Sequence, residues 1–463
     1  HKVDPFDYVS YMEKSFIDAE NSDIIRQQMN DLMRNFRENY LQTARDYSEA
    51  GFYEEAYAVL EEYNGKWPMV EYYKGYLMKL MGNEDGAKEK FKEAEKCNPT
   101  YCFPNKLEDI FVLKAAISAN PDGAKAYYYL GNLLYDKLQF DDAIKCWEVS
   151  AELDENYPTV HRNLAIAYYN RCHDAQSALK HLEKAFELDE NDSRVFLELD
   201  QLYKKMGTDF EKRLKKYEMH KETVELRDDV MLEYVTLYNM TGQYQKAYDT
   251  IMSHKFRPWE GAEGRISGQY KIALVQLAKQ AIMQKEYENA LELLKKSLEY
   301  PLNLGEGRLE GTKDNNIHYY LGNVYTALGD NDMADKEYSL ATLGVDEPAG
   351  AMYYYDQPAD MIMYKGLAYR ALGDEQSACR CFNKLMDYGE RHLYDDVKND
   401  FFAVSLPDFM VFEDDMNIRN KAHCYYLMGL ADLGFGEKEK AKEEFEKALT
   451  YDYNHQNCRI YMN

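Results

Sequence analysis

Tyr127-Tyr128-Tyr129-Leu130-Gly131-Asn132-Leu133-Leu134-Tyr135 is followed by Ala143 and Trp147. His318-Tyr319-Tyr320-Leu321-Gly322-Asn323-Val324-Tyr325 is followed by Ala334, Tyr338 and Ala341. In both stretches an alanine stands twelve positions after the glycine and an aromatic residue four positions after that alanine. Such spacing is steric. Small residues are needed where the first helix of a hairpin crosses the second, because the backbones approach there. Large residues at the positions between them fill the groove against the next hairpin.

The spacing resembles the tetratricopeptide repeat, a helix–turn–helix unit of about 34 residues. Used as a ruler, it finds about ten units. They start near Arg37, Pro68, Ala124, Pro158, a degenerate Ser193, Asp228, Lys271, Asn315, Ala359 and Ala422. Ten such units account for roughly 340 residues. The expected fold is all-α, a right-handed α-solenoid over residues 37–463 preceded by an N-terminal helical segment at 1–36. No strand pattern competes with it.

The 463 residues carry 56 basic and 82 acidic side chains, a net charge of −26. Length alone would imply about three domains, but a repeat array needs no such division. The acidic balance argues against a nucleic-acid partner, which clustered Lys and Arg would bind, and against anionic membrane surfaces. It is the expected charge of the solvated faces of many helices. No apolar run of about 18 residues exists, so no spanning helix is expected. His1-Lys2-Val3-Asp4-Pro5 has neither an initiator Met nor the apolar core of a signal peptide, so the chain is expected to start inside a longer protein. The 43 tyrosines largely fill the aromatic positions of the repeat. Eight cysteines in mostly apolar helical surroundings read as reduced thiols, which implies a cytoplasmic protein. Cys379-Arg380-Cys381 would place its two sulfurs on different helix faces, a poor chelate. The ten histidines show no HExxH-type spacing. No metal and no cofactor is expected, and the paired acids read as helix surface rather than as a catalytic pair. The chain is not expected to be an enzyme.

Residues beyond the repeats collect near Cys102–Gly123, Pro258–Tyr270, Leu304–Asp314, Pro348–Pro358 and His392–Lys421. Each follows a second helix and precedes the next first helix, so all belong to one edge of a solenoid, where insertions often build a binding face. Two of them share Glu-Gly-Arg-apolar: Glu263 to Ile266 and Glu306 to Leu309. Neighbouring units would set these side by side. Trp259 for stacking, with Glu260, Glu263, Arg265, Glu306 and Arg308 for directed hydrogen bonds, would suit a glycan or a polar peptide. The alternative is that each Arg pairs with a neighbouring Glu and each Gly makes a turn. The apolar stretch Asn399–Phe412 covers the end of the array or docks another domain.

On the groove side, Asn132, Asn163 and Arg194 resemble part of the carboxylate clamp of chaperone-binding tetratricopeptide domains. That clamp wants basic residues where Tyr128 and Glu198 stand, so the match is partial. Arg162, beside Asn163, joins Tyr128 and Asn132 as a further candidate of the groove.

A closer resemblance runs through Tyr101-Cys102-Phe103-Pro104-Asn105-Lys106-Leu107-Glu108, Pro158-Thr159-Val160-His161-Arg162-Asn163-Leu164-Ala165, Pro258-Trp259-Glu260-Gly261 and Ala403-Val404-Ser405-Leu406-Pro407-Asp408. These look like bacterial proteins that join an N-terminal mutarotase-like β-sandwich to a C-terminal tetratricopeptide array. Ala262 departs from that pattern, where a second Gly is expected. The resemblance implies a carbohydrate context and an array that scaffolds. The expected function is therefore non-catalytic binding through the groove and inserted loops. The partner would be a protein or peptide segment, the chain's own N-terminal domain, or a glycan in an accessory half of a carbohydrate-active protein.

Overall fold

A computed structural model describes residues 4, 6–257, 259, 262–350, 357–397 and 411–462. Glu260 and most of the apolar stretch 399–412 lie outside them. Among the described residues there is no strand; helices alternate with short turns and longer edge connections. First helices of successive pairs begin at Arg37, Pro68, Ala124, Pro158, Ser193, Asp228, Asn315 and Asp360. Two others begin at Arg265 and Met416, earlier than the ruler's Lys271 and Ala422, because the edge connections run directly into helix. Before Arg37 the helices Tyr8–Ile17 and Ser22–Met33 pack on each other. The edge segment after Cys102 is itself partly helical, over Glu108–Ala119.

Local chemistry sets the helix ends. Pro68 and Pro158 open helices at the position where a missing N–H costs nothing. Asn83, Asp192 and Asp374 cap others by accepting from Gly86, Arg194 and Ser377 backbone N–H groups. Gly373, at φ 86°, makes one hairpin turn in the left-handed region that a side chain disfavours.

The repeat's small–aromatic spacing has a single physical origin. A Cβ placed on Gly75 would stand 2.6 Å from the Phe91 ring, and on Gly131 2.5 Å from Trp147. The same holds for Gly322 against Tyr338 at 2.4 Å, Gly366 against Phe382 at 2.4 Å and Gly429 against Phe445 at 2.5 Å. Each glycine lets the aromatic of the second helix lie flat on the first. Ala87, Ala143, Ala334, Ala378 and Ala441, all buried, make the adjoining close contact.

The described chain forms two compact units, residues 1–188 and 189–463. The first unit has a continuous core from Met12 through Tyr72, Phe91 and Trp147 to Leu164. The second has cores around Val275–Leu294, Tyr325–Tyr338 and Phe382–Phe445. In its degenerate first hairpin, Ser193–Lys205 with Phe210–Met219, the small-residue contact is replaced. Asp200 and Arg213 form a bidentate ion pair at 2.8 Å and 2.8 Å, with both side chains buried. The C-terminal segment of the same unit returns to this hairpin. Tyr453 stacks on Phe210 at 5.1 Å, Asn454 Oδ1 accepts from Arg213 at 3.1 Å, and Gln456 exchanges amide hydrogen bonds with Gln269 at 2.9 and 3.0 Å.

Candidate functional site

The edge connections of the second unit come first, because most of the sequence-expected site residues lie on them. The backbone N–H of Phe256 donates to the Asn303 carbonyl at 2.8 Å. The Asn303 amide in turn donates to the carbonyls of Ile251 and His254 at 2.7 and 3.0 Å. The two connections therefore lie against each other. Glu306 reaches across this seam: its carboxylate accepts from the backbone N–H groups of Gly264 at 2.7 Å and Ser267 at 3.0 Å. Those groups open the helix Arg265–Met283, whose own capping residue is Gly264 and has no side chain. Glu306 thus supplies, from the neighbouring repeat, both the acceptor and the negative charge that a helix N-terminus favours.

Arg308 grips Asp314 through Nε at 3.2 Å and a terminal nitrogen at 2.9 Å, while Lys271 Nζ donates to the other Asp314 oxygen at 3.0 Å. Burial alone would raise the Asp314 carboxyl, but Lys271 and then Arg308 outweigh it and hold it below its ordinary range. Arg265 stands 3.6 Å from Glu233, which Lys204 also contacts. Burial would raise Glu233 too, and Lys204 with Arg265 brings it down. Glu306, Arg308 and Arg265 are therefore engaged with protein groups. Trp259 is half-buried, with its carbonyl accepting from Ala262 N–H at 3.2 Å, and Glu263 is exposed at the surface of the seam.

On the first helices of unit 1, Asn132 is a junction. Its Oδ1 accepts from Trp147 Nε1 at 3.0 Å and from Asn163 Nδ2 at 2.9 Å, which links successive repeats. Tyr128 is buried, its ring 4.8 Å from that of Tyr157, and Arg162 is half-buried beside Asn163. Arg194 belongs to the second unit, where Nε donates to Glu198 at 3.1 Å.

Three features lie outside the residues the sequence singled out. In unit 1 the helices Arg37–Glu49, Pro68–Leu80 and Glu108–Ala119 border a cleft of about 370 Å³. Its floor is Arg45, only 6% exposed, whose guanidinium donates to Tyr73 Oη at 2.9 Å and Asp109 at 3.3 Å. Asp109 also accepts from Tyr73 Oη at 2.7 Å and from the N–H groups of Asn105 and Lys106 at 3.1 Å each. Burial would lower Arg45, but Tyr73 and Asp109 outweigh it and keep it charged. A sequence signal existed: Arg45 and Asp109 each sit on the apolar stripe of a helix, beside Ala44 and Val112.

The second is a histidine pair, also in unit 1. His161 and His181 face each other with Nδ1 atoms 3.0 Å apart and rings stacked at 5.2 Å. Burial, then the neighbouring His161, pushes His181 down to about 4. The third, in unit 2, is Asp360, a buried carboxyl raised by that burial and contacted by the hydroxyls of Tyr426 and Tyr461. Among the described residues no three His, Cys, Asp or Glu side chains converge as a metal site, and all eight cysteines are free thiols. No described helix is long and apolar enough to cross a membrane.

Residues 131–171 match a family model described as TPR repeat, and residues 360–388 one described as Tetratricopeptide repeat. The chain therefore contains tetratricopeptide repeats. Among solved structures it is similar to MamA from Desulfovibrio magneticus RS-1, at 23% identity over 33% of this chain and 94% of that one, TM-score 0.18. YrrB, described as a TPR protein with an unusual peptide-binding site, is 15% identical over 42% of this chain and 92% of its own, TM-score 0.21. A thermophilic TPR protein of Thermus thermophilus, TTC0263, is 17% identical over 43% and 97%, TM-score 0.25. With TM-scores this low, the α-solenoid fold rests on the chain's own helix pairs and the two matched repeats.

Proposed function

We propose that the chain is a non-catalytic binding and scaffolding module that holds a segment of another protein, or of a domain linked to its N-terminus, on its first-helix faces. What supports this is the cleft over Arg45 in unit 1. It is an open concavity lined from two first helices, the edge helix Glu108–Ala119 and the start of the second helix at Tyr53, with polar and aromatic walls. By contrast, Glu306 and Arg265 on the edge connections are occupied in holding neighbouring repeats together, and Arg308 is occupied by Asp314 within its own connection. The mutarotase-like domain implied by the resemblance would be one such linked partner.

The test is a selection of displayed random peptides on the full chain, followed by fluorescence anisotropy with the selected sequences. Tyr76→Ala and Phe111→Ala should weaken binding at least tenfold, whereas Trp259→Ala should not change it. Peptides lost on Trp259→Ala but kept by the cleft variants would move the site to the edge loops. A selection yielding no binder would remove the proposal.

A further inference from the structure

The Arg45 cleft has a charge and a wall chemistry of its own, and both narrow what it can hold. Tyr53, Tyr73, Tyr76 and Phe111 line it, together with Glu49 and Glu108. Arg45 is the cation among its lining residues, and its charge is matched by the buried Asp109 at 3.3 Å. Among the described residues, the side-chain carboxylates of Glu49 and Glu108 have no hydrogen bond or ion pair. With one cation and one anion cancelling, two carboxylates remain. The cleft is thus an anionic opening with aromatic walls. Aromatic faces attract cations through their quadrupole, and nearby carboxylates add to that attraction.

We infer that the cleft is a binding site for a lysine or arginine side chain of a partner protein segment, its alkyl stem against the tyrosines and its charge opposite Glu49 and Glu108. The inference rests on the chain being a protein-binding module and names the partner's chemistry. A carboxylate ligand is disfavoured because Arg45 is already paired and two free carboxylates stand beside it. A small free amine is disfavoured by the rim. Phe111 and Leu80, both lining the cleft, are 65% and 39% exposed. Apolar residues flanking the cation would cover that surface, which a small amine would leave wet. The cleft volume, about 370 Å³, falls in the roughly 300–1,000 Å³ range of ligand clefts, ample for one long side chain.

The experiment uses the full chain and three fluorescein-labelled nonapeptides of one apolar framework, carrying two central lysines, two glutamines or two glutamates. Anisotropy titrations at low and high salt should rank lysine at least tenfold tighter than glutamine, with glutamate weakest, and salt should narrow the gap. The double variant Glu49→Gln with Glu108→Gln should bring the lysine peptide to within about threefold of glutamine. Glu49 is exposed, and Glu108 is half-buried in the first turn of its helix, where loss of its charge weakens the helix start only slightly; circular dichroism would verify that the fold is kept. The control Glu84→Gln with Glu89→Gln, on an exposed face elsewhere in unit 1, should keep the full preference. Glutamine or glutamate binding as tightly as lysine, or a preference that survives the double variant, would overturn the cationic assignment while leaving a peptide-binding face. Absence of binding by all three peptides would overturn both.

Discussion

Gly131→Ala isolates the contact on which the repeat is built. The new Cβ would lie 2.5 Å from both Cδ1 and Nε1 of Trp147, with the Ala143 carbonyl at 3.1 Å. Ordinary carbon contacts need about 3.5–4.0 Å, so the ring must retreat by about 1 Å. It is not free to do so, because its Nε1 donates to Asn132 at 3.0 Å and to the Tyr128 carbonyl at 3.3 Å. Overpacking of this kind costs about 1–3 kcal/mol, and a weakened hydrogen bond adds about 1 kcal/mol. Alanine's better helix propensity returns about 1 kcal/mol, leaving a net loss of about 1–3 kcal/mol.

Gly268→Ala is the matched control. It also lies within a helix, yet a Cβ there meets nothing within 4 Å, so only the propensity gain of about 0.5–1 kcal/mol remains. Repeat arrays unfold partly repeat by repeat, so the assay should be local as well as global. Urea midpoints by ellipticity, with hydrogen exchange resolved over 124–153, would give both. Protection in that hairpin should fall about ten- to a hundredfold in Gly131→Ala, at about 1.4 kcal/mol per tenfold. A midpoint that rises in Gly131→Ala as it does in Gly268→Ala would refute the steric basis of the repeat.

Other outcomes follow from single contacts. Asp200→Ala leaves Arg213 buried without its partner and should lower stability by about 3–5 kcal/mol, whereas Asp200→Ala with Arg213→Met should recover most of it; equal urea midpoints for the two would show that the pair is not what matters. Glu306→Ala removes the acceptor for Gly264 and Ser267 N–H groups, at about 1–2 kcal/mol, seen as faster amide exchange at the start of the Arg265 helix. His181 is held near 4 in the folded chain against an ordinary 6.5, so between those values the unfolded chain binds more protons. Stability should therefore fall as pH drops from about 6.5 toward 4, and His181→Gln should flatten that part of the midpoint-against-pH curve. An unchanged slope would discount the histidine pair.

Much of the fold was legible because its key contact is local. Gly131 and Trp147, or Gly366 and Phe382, meet within one hairpin, so their spacing is written along the chain. Where the hairpin is degenerate the signature vanished, since Asp200 and Arg213 satisfy the same crossing with charge instead of small size. The candidate site was less legible. The Glu-Gly-Arg segments are repeated, but sequence left open whether their charges face a ligand or each other. The cross-seam cap by Glu306 and the Arg308–Asp314 pair are three-dimensional matters. The histidine pair was hidden because its members lie on two helices of one hairpin rather than at chelating spacing.

By itself, then, the sequence determined that this chain is a series of helical hairpins, and where most of them begin. Steric rules for crossing helices act over some thirty residues and tolerate almost anything elsewhere. Only the tertiary structure decided which polar groups are paired and which are left open. Arg45 meets Asp109 and Glu306 meets the Arg265 helix through the stacking of neighbouring elements, and Asn454 meets Arg213 where the C-terminal segment returns to the first hairpin of its unit. That stacking depends on the small rotation between repeats, which no short stretch of sequence records. Charges far apart along the chain are paired or left open by that rotation, and the cleft beside Glu49 and Glu108 is one place where they are left open.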